Sequence, residues 1–387
     1  MGIPKVREND YSRRGMLARA EFLSKLSGSV LESLQSSKVD PAATKGNIEN
    51  IIGFAQVPVG VIGPLKVNGE HAKGKFFVPL STTEGALVAS YNRGAMAVSL
   101  AGGVNVAVTS DKMQRAPLFV LENVFKAKAF VAWVDSHFED IREVASTTTR
   151  HGILTGYKPF IHGRMVYLRL EFSTGDAMGM NMLTLASHEI CKYIQKEHPG
   201  IESMIESNMA VDKKPAWINA VMGRGKTVTA EVLLPERVIS RVLRTTAREI
   251  DLAYHRQATG GQMAGILGSN GHVANGVAAL FLACGQDLGN VSESCTGVIH
   301  TETRGNDLYV SLHLPSLIVG TVGGGTSLPT QRECLEMIGC YGDGKVMKFA
   351  EVAAATIMAG ELSLAAAIVA GDFVSAHEKY GRNRPNQ

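Results

Sequence analysis

The sequence has few aromatic residues, little net charge and no paired cysteines. Aromatic residues make up only 6% of the 387 residues, so small aliphatic side chains and glycine must fill most of the core. The 39 basic residues nearly balance 36 acidic ones, and the net charge of +3 gives no basis for binding nucleic acid. The five cysteines are scattered without a C-x-x-C pair. This argues against a disulfide framework or a zinc ribbon and is typical of a reducing compartment.

The sequence also shows no targeting or membrane segment. It begins MGIPKVREND, a polar and charged start that is unlike a signal peptide. Gly2 would suit myristoylation, but Val6 stands where that signal requires Ser or Thr. The longest apolar runs, such as residues 95–108, are short and interrupted by glycine, so we expect no segment to span a bilayer. We therefore expect a cytoplasmic protein.

Periodicity and turn signals predict a mixture of helices and strands. Asn68-Gly69 is typical of a hairpin turn, which would join a strand-like stretch to a second strand at residues 75–79. A helix capped within residues 81–83 should follow, with Glu84 in its first turn. Other helices are expected over residues 10–37, 179–198, 236–258, 331–338 and 348–370, and strands over residues 167–172, 228–234 and 307–314.

Three familiar motifs are present only in part. Residues 225–227 end like a phosphate-binding P-loop, but Ala220 stands where that motif requires glycine. No intact G-x-G-x-x-G follows a predicted strand, so the usual dinucleotide fingerprint is missing. His188 and Glu189 begin a zinc-binding H-E-x-x-H, but Lys192 takes the closing position. We expect no metal centre.

A charged loop is the strongest candidate for chemistry. In NMAVDKKPAWINAVMGRGK (residues 208–226), Asp212, Lys213 and Lys214 stand together before Pro215, which favours a loop ahead of a helix. Two adjacent cations with one acid can bind an anion and polarise an oxygen. The alternative is a solvated turn at the start of a helix. Only partners elsewhere in the chain distinguish the two.

Three further polar residues stand among apolar or glycine-rich neighbours. Glu84 precedes an apolar stretch that could desolvate its carboxyl group and make it a general acid; the alternative is a solvated first-turn acid. Asp287 follows the apolar residues 277–284, so it is either a partner for a cation such as Lys213 or a helix cap. His377 is a possible proton donor, although a lone histidine is more often a surface residue.

Six motifs, in order, carry a resemblance to a known family. They are ENIIGFAQVPVGVIGPL, PLSTTEGALVAS, GDAMGMN, DKKPAWINAVMGRGK, GQD and a terminal SAH. From about residue 49 to residue 382 the sequence resembles 3-hydroxy-3-methylglutaryl-coenzyme A (HMG-CoA) reductases, specifically the soluble catalytic portion of the class I-like, NADPH-using branch. Taken alone, GDAMGMN would also suit a loop packed on small residues; its glycine lets a flat cofactor approach closely.

The resemblance implies an α/β (α+β) fold in which a large domain surrounds a long central helix. A small, ferredoxin-like, cofactor-binding domain would be inserted into the large one. The expected divisions are an N-terminal helical region at 1–45, a large substrate-binding and catalytic domain at 46–116 and 205–387, and the small NADP(H)-binding domain at 117–204. The resemblance also implies a homodimer or a dimer-based tetramer with active sites at the subunit interface.

The implied activity is that of an oxidoreductase of the mevalonate pathway of isoprenoid biosynthesis. It would reduce (S)-HMG-CoA to (R)-mevalonate and coenzyme A with two NADPH. Lys213 would stabilise the oxyanion, and Glu84 would donate a proton. Asp287 would couple to both of them, and His377 would protonate the departing thiolate.

Further positions carry over as binding residues. Those expected around the substrate are Arg115, Asp212, Lys214, Arg256, His272 and Asn275. Those expected around the cofactor are Arg150, Asp176, Met178, Gly179, Met180, Asn181 and Arg382. NADPH is favoured over NADH because a guanidinium group can bind its 2′-phosphate through two nitrogens.

Three places depart from the family pattern. Glu206-Ser207 replace the usual Ser-Gly before Asn208, and an extra carboxylate there should repel a carboxylate-bearing substrate unless it points away. Arg256 replaces a substrate-binding lysine, and the following Gly-rich loop is one residue shorter. Asn383 replaces a serine that animal relatives phosphorylate. A related acyl-CoA reductase, a preference for NADH and a non-catalytic binding protein therefore stay as alternatives.

Overall fold

The computed structural model describes residues 2–6 and 9–371 of the chain. Within these ranges the strands are β1 (Val59–Gly69), β2 (Lys73–Ser81), β3 (Val104–Arg115), β4 (Leu118–Val120), β5 (Ile153–His162), β6 (Met165–Ser173), β7 (Glu202–Met204), β8 (Gly225–Leu234), β9 (Val298–Arg304) and β10 (Asp307–Leu317). The helices are α1 (Arg13–Ser27), α2 (Glu32–Gln35), α3 (Leu87–Leu100), α4 (Val124–Ser136), α5 (Phe138–Ser146), α6 (Met180–Glu197), α7 (Trp217–Met222), α8 (Glu236–Val238), α9 (Ala247–Ala264), α10 (Val273–Ala283), α11 (Val291–Ser294), α12 (Pro329–Met337) and α13 (Val346–Val369). His377, Arg382 and Asn383 lie outside the described residues.

Strand β3 joins two groups of strands into one mostly antiparallel sheet. Over residues 105–112 it pairs with β8, and β8 is followed by β10 and β9. The hairpin of β1 and β2 attaches to the start of β3, where β1 runs parallel to it. Over residues 113–115 strand β3 pairs with β6, whose group also contains β4, β5 and β7. Arg115 therefore stands where the two groups of strands meet.

The longest helix, α13, is a core helix, since 19 of its 24 residues are buried. It packs closely on α3 because glycine stands at both contact points. A Cβ atom on Gly94 of α3 would lie 1.8 Å from the carbonyl oxygen of Ala359, and one on Gly360 would lie 2.1 Å from the ring of Tyr91. Any side chain at either glycine would push the two helices apart.

Two hydrophobic clusters correspond to the two groups of strands. The larger one packs strands β1–β3 and β8–β10 against α3, α9, α10 and α13, and Ala, Val and Leu predominate in it, as the composition predicts. The smaller one comes from residues 113–194 together with Ile318. The second group of strands therefore packs on its own helices, α4, α5 and α6.

One group in the described part of the chain has the spacing of a metal site. It consists of Glu70, His71 and Glu351. The carboxylate of Glu351 already accepts hydrogen bonds from the backbone N–H groups of Glu70, His71 and Ala72, at 2.6–3.0 Å. These bonds fasten the β1–β2 turn to α13, so the buried carboxylate is accounted for by folding.

The predicted hairpin, the strands at 167–172, 228–234 and 307–314, and the helix at 348–370 are confirmed within a few residues. The predicted start of the helix that follows the hairpin is wrong. That helix begins at Leu87, its preceding residue Ala86 has a left-handed backbone with φ 69°, and no side chain caps it. Glu84 consequently lies in the loop before α3 and not in a first helical turn.

The helix expected over residues 236–258 is also interrupted. After α8 the chain forms a π-helical turn at residues 239–243 and adopts a left-handed backbone at Arg244, with φ 57°. Thr246 then starts α9 by accepting a hydrogen bond from the N–H of Glu249. A side-chain cap of this kind begins a new helix. Strands β3, β4, β5, β7 and β9 were not predicted.

Helix α13 corrects the expectation about membrane-spanning segments. Its length and apolar composition are sufficient to cross a bilayer. From the sequence we expect no such segment, because we treat glycine-interrupted runs such as residues 95–108 as the longest apolar ones. In the structure 83% of its most apolar window is buried inside the protein. A helix that is apolar on all sides has this composition when it lies in the core of a large domain.

Candidate active site

The charged loop between β7 and α7 has a constrained backbone. Asn208, Val211 and Lys213 all adopt left-handed conformations, with φ of 65°, 57° and 56°. Each such non-glycine residue costs roughly 1–3 kcal/mol and persists only where its surroundings hold it. The prediction that this segment is a loop ahead of a helix is confirmed, and α7 is short. The loop is therefore shaped by its contacts and is not a simple solvated turn.

Lys213 and Asp287 form the central ion pair of this loop. Lys213 Nζ lies 2.8 Å from Asp287 Oδ2, and the lysine side chain is 48% exposed. The other oxygen of Asp287 accepts the N–H of Gly289, at 2.9 Å, at the start of a short helical turn. A Cβ atom on Gly289 would lie 2.7 Å from Lys213 Cδ. Glycine is thus required for the lysine to reach its partner.

The surroundings of Lys213 keep its side chain charged. The hydrogen bond with Asp287 raises the pKa of the ammonium group, and although burial opposes this, the negative charges of Asp287, Asp212 and Glu293 add to the rise. Lys213 is therefore a cation at neutral pH. A half-exposed ammonium group held by one carboxylate can approach a ligand oxygen.

A buried layer supports the loop from below. Arg224 is fully buried; it lies 2.8 Å from Asp212 and 3.4 Å from Glu293. Glu293 also accepts the backbone N–H of Lys213 at 3.1 Å. Burial raises the pKa of the Glu293 carboxyl group, while Arg224 opposes that rise. Arg224 and Glu293 together fix both residues that precede Lys214.

Arg115 reaches the same loop from the end of β3. Its guanidinium lies 2.6 Å from Glu206 and 3.8 Å from Asp212, and it also donates to the hydroxyl group of Thr184. Lys214 donates to the backbone oxygen of Asp212 at 3.1 Å. We name this set the lysine cluster; its members are Arg115, Glu206, Asp212, Lys213, Lys214, Arg224, Asp287 and Glu293.

A second group surrounds Glu84. The Glu84 carboxylate accepts a hydrogen bond from Asn275 Nδ2, at 3.3 Å. His272 stacks on Tyr91, with ring centroids 5.4 Å apart, and its Nδ1 lies 3.3 Å from the buried Glu361. We name Glu84, Asn275, His272, Tyr91 and Glu361 the Glu84 cluster. Glu84 is exposed in the single chain, so of the two alternatives left open by the sequence, the described residues favour the solvated acid.

The two clusters are not joined within one chain. Among the residues that the structure describes, no hydrogen bond or ion pair links Glu84 to Lys213 or Asp287. The predicted pairing of Asp287 with Lys213 is confirmed, but the predicted coupling of both to Glu84 is not found in the single chain. Each cluster holds part of the expected machinery.

The predicted cofactor motif lies beside the lysine cluster. Asp176 accepts the N–H groups of Gly344, Lys345 and Val346 at 2.8–3.0 Å, so it caps the start of α13. Burial raises its carboxyl pKa, but these hydrogen bonds outweigh that effect and lower it overall.

The rest of the motif begins helix α6. Gly179, with φ 87°, immediately precedes the helix. Met180 is buried, and its sulfur accepts a hydrogen bond from Arg224 at 3.5 Å. The sulfur of Met178 accepts a hydrogen bond from Asn290 at 2.9 Å, whereas Asn181 is exposed to solvent. The motif is therefore also part of the support beneath the loop.

Two predicted binding residues lie away from both clusters. Arg150 lines a cavity of about 340 Å³ together with Arg142, Thr149 and Gly152. Arg142 also pairs with Glu139 at 2.8 Å. Arg256 is exposed on α9.

Comparison with known proteins identifies the family. The family model described as hydroxymethylglutaryl-coenzyme A reductase matches residues 15–382. The 3-hydroxy-3-methylglutaryl-coenzyme A reductase of Aeropyrum pernix is 48% identical over 385 residues, covering 97% of this chain and 91% of that protein. The chain belongs to the HMG-CoA reductase family. It is accordingly an oxidoreductase of the mevalonate pathway.

Other reductases extend this comparison. The enzyme of Strongylocentrotus purpuratus is 39% identical across 97% of this chain, which spans 42% of that longer protein. A solved HMG-CoA reductase of Streptococcus pneumoniae has a TM-score of 0.70 at 18% identity, covering 91% of this chain and 96% of that one. A second structure, titled as a class II enzyme of that species bound to NADPH in open conformations, also has a TM-score of 0.70, at 19% identity, covering 91% and 86%. These structures show a shared mixed α/β fold.

Sequence reasoning missed several residues of this reductase's lysine cluster. Arg224 lies inside the DKKPAWINAVMGRGK motif, but the sequence suggested no role for it. An arginine between two glycines gives no sign in the sequence that it is completely buried. Glu293 lies six residues after Asp287 in a polar stretch that carries no motif. Thr184 looks like an ordinary helix residue. Only the approach of α6, α11 and the start of β8 to one loop brings Arg224 and Glu293 together with Thr184, which accepts from Arg115 of the cluster.

Proposed function

We propose that this chain catalyses the four-electron reduction of (S)-HMG-CoA to (R)-mevalonate and coenzyme A with two molecules of NADPH. The observation that supports this most directly is the 2.8 Å pair of Lys213 and Asp287 in a loop whose backbone is held from below by Arg224 and Glu293. This gives a fixed cation at the place where the family motif puts its oxyanion-binding lysine.

The residues of the chain divide the chemistry between them. When bound, NADPH supplies the hydride, and each transfer leaves negative charge on the substrate oxygen. Lys213 stabilises that charge, and Asp287 keeps its ammonium group protonated and aimed. Glu84 donates a proton to the oxygen. His377, outside the described residues, protonates the departing thiolate.

Binding residues are proposed on both clusters. The residues that hold the acyl group are Arg115, Asp212, Lys214, Arg256, His272 and Asn275. For the cofactor, Asp176, Met178, Gly179, Met180 and Asn181 would hold the nicotinamide end. Arg150, together with Arg382 from outside the described residues, would bind the adenosine phosphate. The cavity that Arg142 and Arg150 help to line could take a phosphate-bearing cofactor, which supports NADPH over NADH.

We further propose that a second copy of the chain completes each site. Among the described residues, no hydrogen bond or ion pair joins Glu84 to Lys213 or Asp287, and the chemistry needs all three. The elements that flank Glu84 also expose large apolar side chains: Phe77 on β2 is 54% exposed, and Met96 and Leu100 on α3 are 49% and 57% exposed. Apolar surface of this kind suits a homodimer or a dimer-based tetramer with active sites at the subunit interface.

The division into domains is also a proposal. A small ferredoxin-like domain at 117–204, inserted between 46–116 and 205–387, agrees with the separate hydrophobic cluster of residues 113–194. The remaining residues, 1–45, contain α1 and α2 and form the N-terminal helical region. Identity of 39% with the sea urchin enzyme, against 19% with the class II structure, supports the class I-like assignment. Cytoplasmic location stays a prediction.

A spectrophotometric assay tests the activity. The purified chain should oxidise NADPH in the presence of HMG-CoA, with a higher kcat/KM than for NADH. Lys213→Ala should abolish this, because the oxyanion loses its cation, while the oligomer stays intact in sedimentation. Lys25→Ala is a matched control, since Lys25 pairs with Glu21 at 2.7 Å on α1, away from both clusters.

The possible outcomes separate the alternatives. Turnover with NADH alone would change the cofactor assignment, and turnover only with other acyl-CoA thioesters would change the substrate. No turnover of any of these by folded protein would leave a non-catalytic binding protein. Retained activity in Lys213→Ala would remove Lys213 from its role.

A further inference from the structure

Glu206 points at Arg115 and is held there from two sides. Its Oε2 lies 2.6 Å from Arg115 Nη1, and its Oε1 accepts the backbone N–H of Asn208 at 2.8 Å. Asn208 has the left-handed backbone that turns its N–H back toward the carboxylate. The sequence left open whether this extra carboxylate points away from the site. Instead, the Glu206 carboxylate pairs with the guanidinium group of Arg115.

The remaining nitrogens of Arg115 also have partners. Nε and Nη2 donate to the Thr184 hydroxyl at 3.2 and 2.7 Å, and Nη1 lies 3.8 Å from Asp212. The Arg115 side chain is only 14% exposed. A guanidinium binds an incoming carboxylate best through two adjacent nitrogens. Within the described residues, Glu206 and Thr184 take the positions that a ligand carboxylate would use.

The charges of the lysine cluster balance without a ligand. Its four cations are Arg115, Lys213, Lys214 and Arg224, and its four carboxylates are Glu206, Asp212, Asp287 and Glu293. With serine at position 206, as the family pattern has, one positive charge would be left over. That charge would match the distal carboxylate of HMG-CoA. In this chain the same carboxylate enters a cluster that is already neutral.

We propose that Glu206 is a specificity-determining residue that competes with the distal carboxylate of the substrate for Arg115. This rests on the proposed function. The substrate must displace Glu206 before Arg115 can bind it, so the affinity for HMG-CoA is lowered. Glu206 contacts neither Lys213 nor Asp287 among the described residues, so the step on the thioester oxygen is unaffected.

Steady-state kinetics of Glu206→Gln and Glu206→Ser test this proposal. We expect KM for HMG-CoA to fall about tenfold in both variants, because a repelling and competing carboxylate is removed, with kcat within about twofold of the wild type. Calorimetry with HMG-CoA and no cofactor should show the same fall in Kd. Coenzyme A, which lacks the distal carboxylate, should bind the wild type and both variants equally.

Two controls isolate the competition. Glu171→Gln removes a carboxylate that lies 3.0 Å from Lys112. Lys112 is on the same strand as Arg115, but the described residues show no ion pair between Glu171 and Arg115. Glu171→Gln should leave KM unchanged. In an Arg115→Gln background the effect of Glu206→Gln should shrink below about threefold, because the contested group is gone. Thermal unfolding of each variant checks that it is folded.

The opposite result would overturn the proposal. If KM for HMG-CoA rises or stays constant in both folded variants, Glu206 orients Arg115 or plays no part in binding. Failure of the proposed function looks different, because wild-type protein would then not turn over HMG-CoA at all. Kinetics that show wild-type turnover with an unchanged KM in the variants would refute the role of Glu206 alone.

Discussion

Two inactive variants should restore each other's activity if one active site takes Glu84 from one subunit and Lys213 from another. Glu84→Gln removes the proton donor of the Glu84 cluster, and Lys213→Ala removes the cation of the lysine cluster. Each homo-oligomer should be inactive because all of its sites lack one of the two groups. A mixed dimer contains one site with both groups intact and one site with neither.

The size of the recovery follows from this arrangement. Each mixed dimer has one working site out of two, so mixed dimers freed of both homodimers should show about half of the wild-type rate. If both groups came from the same subunit, every site in a mixed dimer would lack one of them. The expected recovery would then be zero.

Co-expression of the two variants with different affinity tags gives the mixed dimers directly. NADPH oxidation with HMG-CoA is then measured on protein purified through both tags in turn. Two control pairs combine changes within one cluster: Lys213→Ala with Asp287→Asn, whose partners lie 2.8 Å apart in one chain, and Glu84→Gln with Asn275→Ala. Neither pair should recover. No recovery in the test pair, or equal recovery in the controls, would refute the shared site.

Three further predictions concern single residues. Asp287 raises the pKa of Lys213, and Lys213 acts while protonated, so activity is lost as the pH rises through that pKa. Asp287→Asn should therefore move the alkaline limb of the kcat–pH profile to lower pH. An unmoved limb would contradict this. Gly289→Ala should lower kcat about 10- to 100-fold without changing the unfolding midpoint, since the added Cβ would lie 2.7 Å from the lysine side chain. Gly94→Ala should lower the free energy of unfolding in urea by about 1–3 kcal/mol, whereas Gly260→Ala, with open space around it, should not.

The elements with clear periodicity or turn signals were predictable from the sequence. The hairpin of β1 and β2 was predicted, although its turn lies at residues 70–71 and not at Asn68-Gly69, and the long helix α13 follows an unbroken small-residue pattern. The interruption at residues 239–246 was missed because local propensity favours a continuous helix. A threonine that caps the next helix and a left-handed arginine override that propensity. Strands β3, β4, β5, β7 and β9 were not predicted at all.

The site was predictable only where a motif names its residues. Lys213 and Asp287 meet as expected, because the loop motif and the GQD motif carry complementary charges. Arg224 and Glu293 escaped notice because their importance comes from burial, which depends on the approach of distant elements. The position of Glu84 was wrong for a similar reason. Its neighbours in sequence are apolar, but their side chains turn toward α13 and leave the loop exposed.

The exposure of Glu84 is itself informative about how the enzyme is assembled. A carboxyl group can serve as a proton donor near neutral pH only if something keeps water and stray cations away from it. Among the described residues, the Glu84 carboxylate accepts one hydrogen bond, from Asn275, and Glu84 is exposed to solvent. The lysine cluster, by contrast, has its charges balanced within one chain. If Glu84 is the acid, its cover must come from outside the described residues, and the exposed apolar residues on β2 and α3 are consistent with the second copy that we propose.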